Sequence, residues 1–158
     1  MIQRIQSLLL LAVAGISAAL FFVPLSEKAG AADATGISSI NTLNINEVTS
    51  KVGDTITSLS TNYGIMVLNL LILTAALYTI FLYKNRPAQM RMCMLAGVFA
   101  AIELILVFYY SEEMEVKTAR AHYLAGVYLI AVQVFLLLAS RRAIRKDEML
   151  VRAADRIR

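Results

Sequence analysis

The chain holds one cysteine, one histidine, two prolines and no tryptophan among its 158 residues. A single thiol, Cys93, excludes an intramolecular disulfide and any metal cluster built on cysteines. With so little proline and only seven glycines, the chain carries no low-complexity linker and no repeat of fixed period. Charge is scarce as well: Asp, Glu, Lys and Arg make up 16% of the residues, against about 25% in a soluble domain. Apolar residues take their place, at 59% against about 45–50% for a comparable soluble set. These values exclude a disordered chain, a disulfide scaffold and a conventional soluble enzyme domain, and they point to a membrane protein.

Four apolar stretches account for the excess, at residues 7–25, 63–83, 92–110 and 122–139. A helix rises about 1.5 Å per residue and needs about 20 residues to cross a bilayer core. Each stretch is apolar on nearly all sides, and a helix satisfies its own backbone groups in lipid. The expected fold is therefore an all-α, four-helix up-down bundle in the membrane, a single domain over 1–158. Residues 26–62 form an outer loop and residues 140–158 an amphipathic helical tail.

Charge sets the expected orientation. Eleven of the 15 basic residues lie before the first stretch, between the second and third, or after the fourth. The positive-inside rule then puts both termini in the cytoplasm. The first stretch also admits a signal-peptide reading, with Arg4 at its start and Ala29-Gly30-Ala31 as a small-x-small cleavage pattern. Its 16-residue apolar core is long for a signal, and Glu27 and Lys28 crowd the cleavage site, so retention is expected. In the outer loop, Val48, Val52, Ile56, Leu59 and Tyr63 step at helical spacing, which predicts a short amphipathic helix capped by Asn46. A β-hairpin is the alternative, since Val48, Thr49, Val52, Thr55, Ile56 and Thr57 are β-branched and Gly53 interrupts.

Three segments resemble a known family. They are the start Met1-Ile2-Gln3-Arg4-Ile5-Gln6, the run from Ile80 through Lys84-Asn85-Arg86-Pro87 to Arg91, and the ending from Arg142 to Arg158. Together they resemble the domain of unknown function 4293. The resemblance covers nearly the whole chain and implies a four-span protein of the bacterial inner membrane. It implies no catalytic or binding residue.

One residue is out of place. Glu103 lies mid-way along the third stretch, where a carboxylate costs about 2.5–3.5 kcal/mol on insertion scales and must face the bundle interior. Counting along each stretch puts Asn69, Tyr128 and Ser17 at similar depth, so the four are expected to form a buried polar cluster. Glu103 is expected to bond one or more of Asn69, Tyr128 and Ser17, as a hydrogen-bonded latch, a proton or cation relay, or an interface to a partner protein. Ala96 and Ala100 share a face with Glu103 and predict an interior packing seam. The sequence holds no phosphate loop, nucleophile elbow or HExxH pattern. No enzyme, cofactor, metal site or nucleic-acid binding is expected. The expected partners are the bilayer itself, anionic headgroups against Arg141, Arg142, Arg145, Lys146, Arg152, Arg156 and Arg158 of the tail, and a membrane protein served in a scaffold or accessory role. The alternative function is a small proton- or cation-coupled transport component that uses Glu103.

Overall fold

A computed structural model describes residues 3–32, 38–53, 55–83, 85–114 and 120–155. In chain order it has helix α1 (Gln3–Ala19), strands β1 (Ser26–Ala32), β2 (Ser38–Leu43), β3 (Glu47–Val52) and β4 (Thr55–Thr61), helices α2 (Tyr63–Phe81) and α3 (Arg86–Glu113), strand β5 (His122–Tyr123) and helix α4 (Ala125–Asp155). The strands form one antiparallel sheet of order β4-β3-β2-β1-β5. The expectation of an all-α bundle is therefore wrong. The segment that was read as an outer loop with a short helix is a four-stranded meander, and β5 closes its other side.

The physical reason is local. β-branched side chains pack well on a pleated surface and lose rotamer freedom in a helix. Residues 47–52 alternate half-buried and buried at their start, as one face of a strand requires. Val52 pairs with Thr55, which leaves a two-residue turn whose first member, Gly53, has φ +60°. Glycine takes that conformation without steric cost. The helical stepping of the same residues was a coincidence that this turn overrides.

Among the described residues, three helices are long and apolar enough to cross a membrane: Tyr63–Phe81, Arg86–Glu113 and Ala125–Val151. Helix α1 has 17 residues and is shorter. Asn85 caps α3 by accepting from the Ala88 N–H at 3.3 Å, with Pro87 in the first turn. Each helix packs on two others, α1 on α2, α2 on α3, α3 on α4, and α4 on α1. The buried positions of α2 (Ile65, Asn69, Ile72, Ala75, Ala76, Thr79) and α3 (Gln89, Cys93, Ala96, Ala100, Glu103, Val107, Ser111) step mostly by four and three. That period suits near-parallel packing. Ala96 and Ala100 line the seam inside the helices, whereas Gly15 and Ala101 face outward.

The distribution of polarity is inverted relative to a soluble protein. Facing outward are Leu8, Leu70, Leu77, Ile105, Phe135 and many similar side chains, while Gln6, Asn69, Gln89, Glu103 and Gln133 are buried. Two buried apolar clusters fill the interior. One, with Leu10, Ile72, Cys93, Ala100 and Leu137, lies toward the end opposite the sheet. The other joins Leu43, Ile45 and Val48 of the sheet to Leu20, Ile65, Val107 and Ile130 of the helices, so the sheet sits across the helix ends.

Polar clasps fix that seat. Ser26 of β1 and Ser111 of α3 share a hydroxyl–hydroxyl bond of 2.7 Å. The buried Lys28 ammonium donates to the carbonyls of Glu112 at 3.1 Å and Met114 at 3.5 Å. A cation there complements the unsatisfied carbonyls and dipole of a helix C-terminus. At the start of α4, Gly126 lies against Pro24 and Leu25, where an added Cβ would be 2.7 Å from the Pro24 carbonyl oxygen. At the far end, Arg86 pairs with Asp147 at 3.2 Å and also donates to its backbone carbonyl, which ties the α2–α3 turn to α4.

Candidate functional site

Each of the four helices places one polar side chain in a common layer between the two apolar clusters. These are Ser17 of α1, Asn69 of α2, Glu103 of α3 and Gln133 of α4, all at 0% exposure. Asn69 donates through Nδ2 to the Ser17 backbone carbonyl at 2.9 Å. Gln133 donates through Nε2 to Ser17 Oγ at 3.0 Å. Ser17 therefore takes bonds from both helices that flank α1, one on its backbone and one on its side chain.

The remaining atoms of the layer are unmatched. Both carboxyl oxygens of Glu103, Oδ1 of Asn69 and Oε1 of Gln133 have no hydrogen-bond partner among the described residues. All four atoms are acceptors while Glu103 is ionised, so the layer is short of donors. An N–H or O–H donor, or a cation, would fit this chemistry. The layer holds no thiol and no imidazole, and no nucleophile stands beside a base.

Depth along the chain sets Ser17, Asn69 and Glu103 at one level, and all three are buried, but the expected bond from Glu103 to Ser17, Asn69 or Tyr128 is not made. Tyr128 is not with them: it is 65% exposed, on the outward face of α4. The buried stripe of α4 runs through Val127, Ile130, Gln133 and Leu137 instead, so Gln133 fills the fourth place. Depth sets height on a helix but not azimuth. The 3.5-residue stripe was the signal that could have separated Gln133 from Tyr128.

The tail helix continues directly from the fourth apolar stretch. α4 runs unbroken from the sheet to Asp155. Arg141, Arg142, Arg145 and Lys146 are exposed along it. Arg156 and Arg158 and the Arg152 side chain lie outside the described residues. The apolar residues Met149, Leu150 and Val151 of this segment are also exposed. His122, at the edge of an expected span, belongs to β5 and pairs with Glu27 across the ladder.

The profile of a family described as a domain of unknown function (DUF4293) matches residues 2–157. The chain belongs to that family. No curated protein matches it.

Proposed function

We propose that this family member is a multi-pass protein of the bacterial inner membrane that serves as a non-enzymatic accessory or scaffold protein. Its termini lie in the cytoplasm and its sheet on the outer side. The inverted polarity supports the membrane position, since lipid tails accept an apolar exterior and leave the polar groups to the interior. The basic residues, concentrated at the end opposite the sheet, support the orientation.

One observation carries the accessory role. β4 is an edge strand, all seven of its residues are exposed, and none is charged. Ile56 and Leu59 lie open at 69% and 47%. Soluble edge strands are guarded by lysine, proline or a bulge turned away from partners. β4 has a bulge at Leu59 but no lysine or proline, and its residues 55–58 stay in regular register, so that part of the edge offers backbone hydrogen bonds and alternate side chains to an added strand. The helices below act as its rigid platform.

The test is crosslinking of the tagged full chain in native membranes, followed by recovery. The wild type, an Ile56→Lys/Leu59→Lys double variant and a chain lacking residues 148–158 are compared. A partner recovered with the wild type and lost from the double variant supports the reading. Equal recovery from all three, or only what an unrelated membrane protein also recovers, refutes it.

A second reading rests on the two unmatched carboxyl oxygens of Glu103. A proton- or cation-coupled transport component would use that group as its titrating site. Glu103→Gln keeps the polarity and removes the titratable proton. Flux by reconstituted wild-type protein that the variant lacks would favour transport, and flux in neither would favour the accessory role.

A further inference from the structure

We propose that the α3–α4 face at the end opposite the sheet is a binding site for one anionic phospholipid. Its phosphate is held by Arg91, Arg141 and Arg145, and an acyl chain lies along Gly97, Ala101 and Val134.

Two cavities make the site. The upper one, of about 550 Å³, is lined by Arg91 of α3 and by Arg141, Arg145 and Glu148 of α4, with Met90 and Met94 beneath. The other, of about 300 Å³, is lined by Gly97, Val98, Ala101, Val134 and Leu138. They are adjacent, since Met94 and Arg141 line both. None of the three arginines is in an ion pair among the described residues. The guanidinium fork matches a phosphate with parallel N–H donors, and it stays charged at all relevant pH values. Arg141 and Arg145 are four residues apart and share a helix face.

The dimensions point to a lipid rather than to a free anion. Along α3, ten residues separate Arg91 from Ala101, a rise of about 15 Å. That is about half of a bilayer core of about 30 Å, the depth of one leaflet. The charge stands at the membrane boundary and the apolar groove runs inward from it. A soluble phosphate would leave the groove without a purpose. The groove floor is open at Gly97, where an added Cβ would meet nothing within 4 Å. A larger side chain there obstructs the groove without striking the fold.

The proposal rests on the membrane position proposed above, and the experiment separates the two. The full chain is first extracted from membranes with alkaline carbonate. Release into the soluble fraction overturns the membrane position and this site with it. Retained protein is purified in mild detergent and titrated with phosphatidylglycerol, phosphatidylcholine or inorganic phosphate, and occupancy is read by native mass spectrometry. The wild type is expected to bind one phosphatidylglycerol per chain, about tenfold or more tighter than phosphatidylcholine, with inorganic phosphate not competing at equal concentration. Arg141→Gln/Arg145→Gln is expected to weaken phosphatidylglycerol about tenfold or more, given what each basic residue contributes near an anionic surface. Gly97→Phe should weaken both lipids. Lys146→Gln removes one charge from the same end and lines neither cavity, so it should leave binding within about twofold. The site is overturned if Lys146→Gln matches the arginine pair, if Gly97→Phe changes nothing, or if inorganic phosphate displaces the lipid. A variant that loses both its lipid and its cooperative unfolding is replaced by Arg91→Gln, for which the same tenfold loss is expected and no loss overturns the proposal.

Discussion

The same substitution, glycine to alanine, should shift stability in opposite directions at Gly126 and Gly97. At Gly126 the new methyl would lie 2.7 Å from both the Pro24 carbonyl oxygen and Leu25 Cδ2, and 3.2 Å from Leu25 Cα. Two of these three neighbours are backbone, held by the Leu124 N–H to Leu25 carbonyl bond of 2.9 Å and by the Gly126 N–H to Pro24 carbonyl bond. They cannot rotate away, so the crossing of the chain over α4 must open. Overpacking of this kind costs about 1–3 kcal/mol. Alanine's helix propensity offsets little of it, since Gly126 is in the first turn. At Gly97 the methyl meets nothing, and a mid-helix Gly→Ala exchange contributes about 0.5–1 kcal/mol of stability. For a chain of this size, 1 kcal/mol moves the midpoint by about 2–4 °C. Gly126→Ala is therefore expected to lower Tm by about 2–12 °C, and Gly97→Ala to raise it by about 1–4 °C. The lone thiol supplies the assay. Cys93 is buried, so a fluorogenic maleimide reports global opening in detergent at one site. If Gly126→Ala melts at or above the wild type, the packing of Pro24 on α4 is looser than described and the reasoning fails.

Four other outcomes follow from the same contacts. Glu103→Gln should hold or raise Tm, because its amide brings N–H donors to a layer whose Asn69 and Gln133 oxygens lack them; a fall of several degrees would show that the carboxyl group has a partner of its own. Ser17→Ala should cost about 0.6–1.7 kcal/mol, the range for hydrogen bonds between membrane helices. A double-mutant cycle with Gln133→Leu should recover that coupling, while the cycle with Asn69→Leu should not, since Asn69 bonds the Ser17 backbone. Lys28→Met should lower Tm by the equivalent of about 1–3 kcal/mol, as the α3 carbonyls lose their buried donor; an unchanged midpoint would mean that those carbonyls find other donors. Tyr128→Phe should alter neither Tm nor any property of the polar layer, and a change in either would place the phenol closer to Glu103 than its exposure allows.

The long apolar runs made α2 legible almost to the residue, because a helix that is apolar on nearly all sides has no polar face to confuse the reading. α3 extends further at both ends than its apolar run. Arg86, Arg91, Glu112 and Glu113 lower the local hydropathy but leave the backbone ladder intact. The Asn85 and Pro87 cap was a start signal that hydropathy alone ignores. The sheet was harder. The β-branched run at 47–61 and Gly53 carried the information, but a helical spacing of five apolar residues competed with it. β1, with the sequence SEKAGAA, has almost no strand character. It is a strand because β2 and β5 flank it and because Ser26 and Lys28 are clasped to α3. Those are tertiary causes, absent from any local window. In the polar layer, depth was readable and facing was not. Ser17 and Asn69 are bonded and Glu103 is buried without a hydrogen-bond partner among the described residues, while Tyr128 points away and Gln133 bonds Ser17 in its place.

The unbroken run of α4 ties the two ends of the molecule mechanically. Its 31 residues make a rod of about 46 Å, with no proline and no glycine beyond Gly126 to act as a joint. Its first turn is gripped by Pro24 and Leu25, beside the β5–β1 ladder, and its second half carries Arg141 and Arg145. A stiff lever pinned at one end cannot absorb a displacement along its length. Any tilt imposed on the sheet therefore reaches the arginines as movement of their forks, and clamping those forks resists tilt of the sheet in return.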